Sequence, residues 1–168
     1  MSKHLLLLFD GDALVHRAFH ALPPLTVGKT GEIIGAVYGF TLILLKAISE
    51  LKPSHCAIAF DKKAPTFRHQ LFDQYKAQRP ATPEELIDQM KRVREIVRAF
   101  DMPIFEMEGF EADDALGTLS LQANERNVDA IIVTGDADAM QLVRPGVKVY
   151  APKRSFNDTV LYDEAAVS

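Results

Sequence analysis

The residues most able to do chemistry crowd into one stretch, Gly109-Phe110-Glu111-Ala112-Asp113-Asp114-Ala115-Leu116-Gly117-Thr118. Three carboxylates fall within four positions, and an apolar pattern then begins. Ala112, Leu116, Leu119 and Ala123 recur at helical spacing. Glu111, Asp113 and Asp114 therefore stand at or near a first helical turn, where the positive end of the helix dipole tolerates negative charge. Taken alone, this is an acid-rich helix start. Its chemical meaning comes from other acids. Asp10, Asp61, and the pair Asp136 and Asp138 each follow a short apolar run.

Those runs must position the acids. Residues 5–9 read as a buried strand, closed by Asp10-Gly11-Asp12, with a short helix after it that Pro23-Pro24 breaks. Residues 27–32 read as a loop. Val37, Phe40, Leu44, Ile48 and Leu51 mark a helix over 33–51, closed by Lys52-Pro53. Residues 56–60 form a second strand, ended by Asp61. Thr82-Pro83-Glu84-Glu85 reads as a helix start with a capping box and proline at the first position. Residues 103–107, 130–134, 147–150 and 160–162 supply the remaining strands. Apolar strands alternating with helices predict a mainly parallel sheet covered on both faces, an α/β/α sandwich. Right-handed crossovers set every strand's carboxyl end on one edge, where ligands of such sheets bind.

Seven carboxylates then share a rim: Asp10, Asp61, Glu111, Asp113, Asp114, Asp136 and Asp138. Like charges so close raise each other's pKa values, and divalent cations relieve the repulsion. All-oxygen ligands favour Mg²⁺ or Mn²⁺ over zinc. Two ions about 3.5–4 Å apart activate a water and stabilise the leaving oxygen of a phosphodiester. Residues 62–80 differ in character. Lys62, Lys63, Arg68, Lys76 and Arg79 stand against one acid, Asp73, with Phe67, Phe72 and Tyr75 between them. Such a stretch can be a solvated loop. Directly after Asp61 it is placed to clamp phosphates, with Tyr75 stacking on a base.

Composition sets the bounds. The 168 residues are 48% hydrophobic and 25% charged, as expected of one domain with a full core. A net charge of −4 gives no global field for nucleic acid, so a polyanion must meet a local basic patch or bound cations. Cys56 is the only cysteine, which excludes a disulfide framework; it reads as a buried thiol. The apolar run at 5–9 is too short for a signal peptide, and the uncharged run at 33–45 is too short to span a bilayer. The expected setting is cytoplasmic, with no membrane partner.

In order along the chain come Phe9-Asp10-Gly11, Arg17-Ala18-Phe19-His20-Ala21-Leu22-Pro23-Pro24-Leu25, Ala36-Val37-Tyr38-Gly39-Phe40 and Ala59-Phe60-Asp61. Pro65-Thr66-Phe67-Arg68-His69, Tyr75-Lys76-Ala77 with Arg79-Pro80, Thr82-Pro83-Glu84-Glu85-Leu86, Glu111-Ala112-Asp113-Asp114 and Thr134-Gly135-Asp136 follow. With these runs the sequence resembles the 5′-nuclease (flap endonuclease-like) family, most closely its branch of 5′→3′ exonuclease domains at the amino end of bacterial DNA polymerases I. The resemblance implies a PIN-like fold and a Mg²⁺- or Mn²⁺-dependent nuclease acting on DNA with a 5′ end or flap, in replication and repair. By that likeness Asp10, Asp61, Glu111 and Asp113 hold a first metal, Asp114 reinforces it, and Asp136 and Asp138 belong to a second. Lys76 and Arg79 are the catalytic cations. Arg17, Arg68, His69, Tyr75, Lys76 and Arg79 meet DNA.

The likeness has gaps. His16 stands where the family has an aromatic residue, Ala137 where it has a basic one, and Gln78 where it has asparagine. Asp12 is an extra acid, read as a solvated turn residue. The family continues with a helix-hairpin-helix module carrying two more aspartates for the second metal. The expectation is that 1–168 is the catalytic subdomain of a longer chain and cleaves weakly by itself. Three rivals stand beside this reading. Asp10-Gly11-Asp12 also suits a haloacid-dehalogenase-type phosphatase, although Leu14 sits where Thr or Val belongs. A receiver-type signalling domain also gathers acids around Mg²⁺, but Lys148 lies inside a strand rather than after one. A PIN-group ribonuclease differs only in substrate.

Overall fold

Each short apolar run becomes a strand, and each acid that follows one stands at a strand end. The computed structural model describes residues 3–63 and 65–168. The elements run β1 (Leu5–Asp10), α1 (Gly11–Ala21), α2 (Gly35–Leu51), β2 (His55–Ala59), α3 (Phe67–Leu71), α4 (Glu84–Ala99), β3 (Ile104–Phe105), α5 (Ala112–Glu125) and β4 (Asp129–Val133). A 3₁₀ turn over Ala137–Leu142, β5 (Val147–Pro152), β6 (Thr159–Tyr162) and α6 (Glu164–Val167) complete it. The sheet order is β3-β2-β1-β4-β5-β6, parallel except for the antiparallel β6.

Alternation along β1 decides how the sheet is covered. Leu7 and Phe9 face one side and pack with Leu14, Phe40, Leu86 and Val93 from α1, α2 and α4. Leu8 faces the other and packs with Ala115, Leu116 and Ile132 under α5. Helices therefore cover both faces, as the strand pattern predicts. Each such fully buried side chain stabilises the fold by about 1.5–3 kcal/mol. In register, Asp10 lies opposite Ala59 of β2 and Phe9 opposite Val133 of β4. The carboxyl ends are thus level, and strand order reverses between β1 and β4, the place where such sheets open a crevice.

Local chemistry sets the helix starts. α1 begins at Gly11 with no intervening loop. A β-carbon there would lie 2.3 Å from the ring of the fully buried Phe60, so only glycine lets the helix start so close to β2. Gly39 plays the same part where α2 crosses α1, with Ala18 2.8 Å from its missing β-carbon. The cap of α2, Ile34, has no side-chain acceptor. Buried Gln89 of α4 supplies one: its Oε1 accepts the N–H groups of Ala36 at 2.7 Å and Val37 at 3.4 Å.

Some expectations change. The capping box at Thr82 does not form. Thr82 precedes a proline, which holds it extended. Pro83 stands at the cap and its carbonyl accepts from Leu86 and Ile87. The strand expected over 103–107 shrinks to Ile104–Phe105 at the sheet edge, since Pro103 has no N–H to give and offers only its carbonyl, to Ile58. The stretch at 62–80 contains a helix, α3, started by a capping box between Thr66 and His69. Ala64 of that stretch lies outside the described residues. Cys56 is partly rather than fully buried. No helix among the described residues is long and apolar enough to cross a membrane.

Gln89→Leu fills the same space but leaves the first N–H groups of α2 without an acceptor. It should lower the unfolding free energy by about 1–3 kcal/mol in urea titrations.

Candidate metal and phosphate site

A cavity of about 750 Å³ opens at the carboxyl edge, and the ends of β1, β2 and β4 and the start of α5 converge on it. Asp10, Asp61, Glu111, Asp113, Asp136 and Asp138 all line it, as do Tyr75, Lys76 and Arg79 from the basic segment. Residues more than 100 positions apart in sequence thus meet in one pocket.

Each acid is fixed by the element it terminates or starts. Asp10 is the cap of α1 and is buried, 3% exposed. Its Oδ1 accepts the N–H of Ala13 at 3.4 Å, and its Oδ2 accepts the hydroxyl of Thr134 at 2.8 Å. Thr134 Oγ1 in turn accepts the N–H of Asp136 at 3.0 Å. Asp136 caps the 3₁₀ turn by accepting from Asp138 N–H at 2.9 Å. Asp61 Oδ1 accepts the N–H of Ala112, the first residue of α5, at 2.6 Å. Glu111 caps α5 in a box with Asp114, whose Oδ2 accepts the Glu111 N–H at 2.9 Å.

Protein cations hold part of this charge. Lys76 Nζ donates to Glu111 Oε1 at 2.6 Å and lies 5.1 Å from the Tyr75 ring centre. Arg68 grips Asp114 with two bonds of 2.8 and 2.9 Å. Burial pulls the Lys76 ammonium down, but its hydrogen bond and charge contact with Glu111 outweigh this and raise it. The Arg68 hydrogen bonds hold the Asp114 carboxyl below the ordinary carboxylate range. Deeper in, the shifts reverse. Burial pushes Asp10 up to about 7, with the charge of Asp113 adding and the Thr134 bond opposing. Burial and then the charges of Asp136, Asp61 and Glu111 push Asp113 up to about 6.

The donor set fits hard divalent cations. The carboxylates present only oxygen, and Asp10 and Asp113 lack a cationic partner at bonding distance among the described residues. Yet no group of three or more His, Cys, Asp or Glu among the described residues is gathered closely enough to cage one ion. The physical reason is visible in the contacts: Lys76 occupies Glu111, and Asp61 is turned onto a backbone N–H.

Not every expected residue reaches the cavity. Asp114 stands behind the acids with Arg68 rather than on the wall. Arg17 donates to the carbonyl of Lys153, its stem against Gly135. His69 Nδ1 is held by Thr66, and its ring meets Tyr75 edge-on. Two wall residues escape the sequence reading. Asp12 is no solvated turn residue. It lies half-buried in the first turn of α1, lines the cavity, and accepts the backbone N–H of Asp61. Its signal was its spacing, two positions after a strand-ending acid. His16, one turn further on, also lines the wall, its imidazole pulled down by burial.

Residues 5–168 match the family described as "5'-3' exonuclease, N-terminal resolvase-like domain". The chain belongs to that family. The chain is 46% identical to DNA polymerase I of Chloroflexus aurantiacus over 166 residues, 97% of this chain and 18% of that one. It is 49% identical to DNA polymerase I of Rhizobium leguminosarum over 152 residues, 86% of this chain and 15% of the relative. The domain thus spans less than a fifth of these relatives' length. Among solved structures, the T5 D15 protein superposes with a TM-score of 0.74 at 17% identity, covering 95% of this chain and 58% of that one. Membership sets aside the phosphatase and receiver readings.

Because Asp10, Asp113 and Asp12, the last pushed up to about 6 by burial, keep their protons longer folded than unfolded, where such groups titrate near 3.9, protonation favours the folded state. Without ions, stability should fall as pH rises from about 4 to about 7. In EDTA, denaturant titrations should show the domain on the order of 2–4 kcal/mol less stable at pH 8 than at pH 5. Asp10→Asn should remove about half of that slope. Asp114 acts the other way, and its contribution is lost only as pH falls below about 4.

Proposed function

We propose that this chain is the metal-dependent catalytic part of a 5′→3′ exonuclease and flap endonuclease. It hydrolyses DNA phosphodiesters in replication and repair as a section of a longer DNA polymerase I. The observation that carries the reading is the convergence of Asp10, Asp61, Glu111, Asp113 and Asp136 on one cavity that Lys76 and Arg79 also line. Family membership and the likeness to DNA polymerases I support it. The T5 D15 flap endonuclease, a relative by fold, has been crystallised with DNA and metal ions.

In this reading Asp10, Asp61, Glu111 and Asp113 hold a first Mg²⁺ or Mn²⁺, with Asp114 behind them, and Asp136 and Asp138 contribute to a second. Ions bound there supply an activated water and offset charge on the leaving oxygen. The chain's own residues do the rest. Lys76 leaves Glu111 for a substrate phosphate, and Arg79 takes a neighbouring one. Tyr75, held between Lys76 and His69, offers a ring for a terminal base. Arg17, Arg68 and His69 flank the strand's path. The two acids of the second site are exposed, whereas Asp10 is buried and Asp113 half-buried. One ion is therefore held better than the other.

Calorimetry with Mn²⁺ should show one tight and one weak site, and two equally tight sites would overturn this account of the ligands. With a 5′-labelled flap and Mg²⁺, Asp113→Asn and Asp10→Asn should each lower cleavage at least about 100-fold. Undiminished cleavage in EDTA would sink the reading, and faster cutting of single-stranded RNA than of flapped DNA would move it to the ribonucleases.

A further inference from the structure

The extra acid of α1 has a task in the site. We propose that Asp12 is a positioning residue: by accepting the backbone N–H of Asp61, it sets the carboxylate of Asp61 for metal binding. The inference rests on the metal-dependent reading above and deepens it.

The sheet ladder stops short of Asp61. β2 ends at Ala59, and the N–H of Phe60 donates to the Phe105 carbonyl at 3.0 Å. The next N–H, that of Asp61, points the other way, toward β1, which has already given way to α1 at Gly11. Asp12 Oδ2 takes it. Asp61 then reaches forward, with Oδ1 on the N–H of Ala112 at 2.6 Å. A relay thus runs from the first turn of α1, through Asp61, to the first turn of α5. It holds together the two helix starts that carry Asp10 and Asp113. It also fixes the point where the basic segment departs.

Position and surroundings suit Asp12 to this work. It lies on the wall shared by the main cavity and a second one of about 510 Å³ that Lys62, Lys63 and Arg94 line. Arg94 stacks over the Phe60 ring at 4.2 Å and lines that second cavity together with Asp12 and Asp61. The role needs an acceptor oxygen, not a charge. An amide in place of the carboxylate keeps it, and a methyl group loses it. Asp61 is exposed, so water can satisfy its N–H when Asp12 is removed. The loss then frees one residue rather than unfolding the domain.

The test compares Asp12→Ala and Asp12→Asn in the whole chain. Mn²⁺ affinity is read by calorimetry, and hydrogen exchange at the Asp61 amide is read by NMR without metal. Asp12→Ala should weaken the tight Mn²⁺ site about tenfold and speed Asp61 exchange by a similar factor. Asp12→Asn should stay within about threefold of the parent in both. Equal weakening by Asp12→Asn would make the charge, not the acceptor, the cause and overturn the assignment. Parent-like Mn²⁺ binding by Asp12→Ala would overturn it too, leaving the nuclease reading intact. A parent chain that binds no Mn²⁺ overturns that reading and this one together, while Asp61 exchange still reports whether the relay exists.

Discussion

The structure depends on a shortage of hydrogen-bond acceptors at one edge of a parallel sheet. Every strand that ends there hands the chain to a helix or turn, and every such start exposes backbone N–H groups. Asp10, Glu111 and Asp136 answer as caps. Thr134 ties two of these starts together by giving its proton to Asp10 and accepting the N–H of Asp136. The bland role and the chemical role therefore reside in the same side chains. An acid that caps a helix at this edge already points into the crevice, where a cation can reach its remaining lone pairs.

Charge is managed in layers. Toward solvent, Arg68 and Lys76 neutralise Asp114 and Glu111 with short, direct bonds. Toward the sheet, Asp10 and Asp113 have no such partner among the described residues, and burial raises the pH at which they lose their protons. The basic segment thus works as an internal counter-ion to these acids. In the proposed reading an incoming phosphate competes for Lys76 and an incoming cation competes for the Glu111 carboxylate that holds it, so the two binding events are linked by simple competition.

Much of this was legible in the chain, for physical reasons. Runs such as 5–9 and 130–134 are apolar on both faces, which only a covered parallel strand tolerates, and an acid after each marks the same edge. Convergence of Asp10, Asp61, Asp113 and Asp136 follows from topology alone. Other features depend on partners far away in sequence. The amide of Gln89 caps a helix 53 residues earlier, and nothing near Ile34 announces it. Asp12 looked like a turn residue because its partner is the backbone of Asp61, and backbone leaves no trace in residue type. Thr82 misled because the local pattern for a cap was present, but the following proline displaced the helix start by one residue.

The brevity of β3 has a consequence for behaviour at high concentration. A sheet border is a row of unsatisfied donors and acceptors, a template on which another chain can lay a strand. Here that border is two residues long and follows a proline, and the opposite border is a four-residue antiparallel strand. Neither offers enough consecutive backbone to seed a growing fibril, so the fold can leave both margins open to water and still remain dispersed.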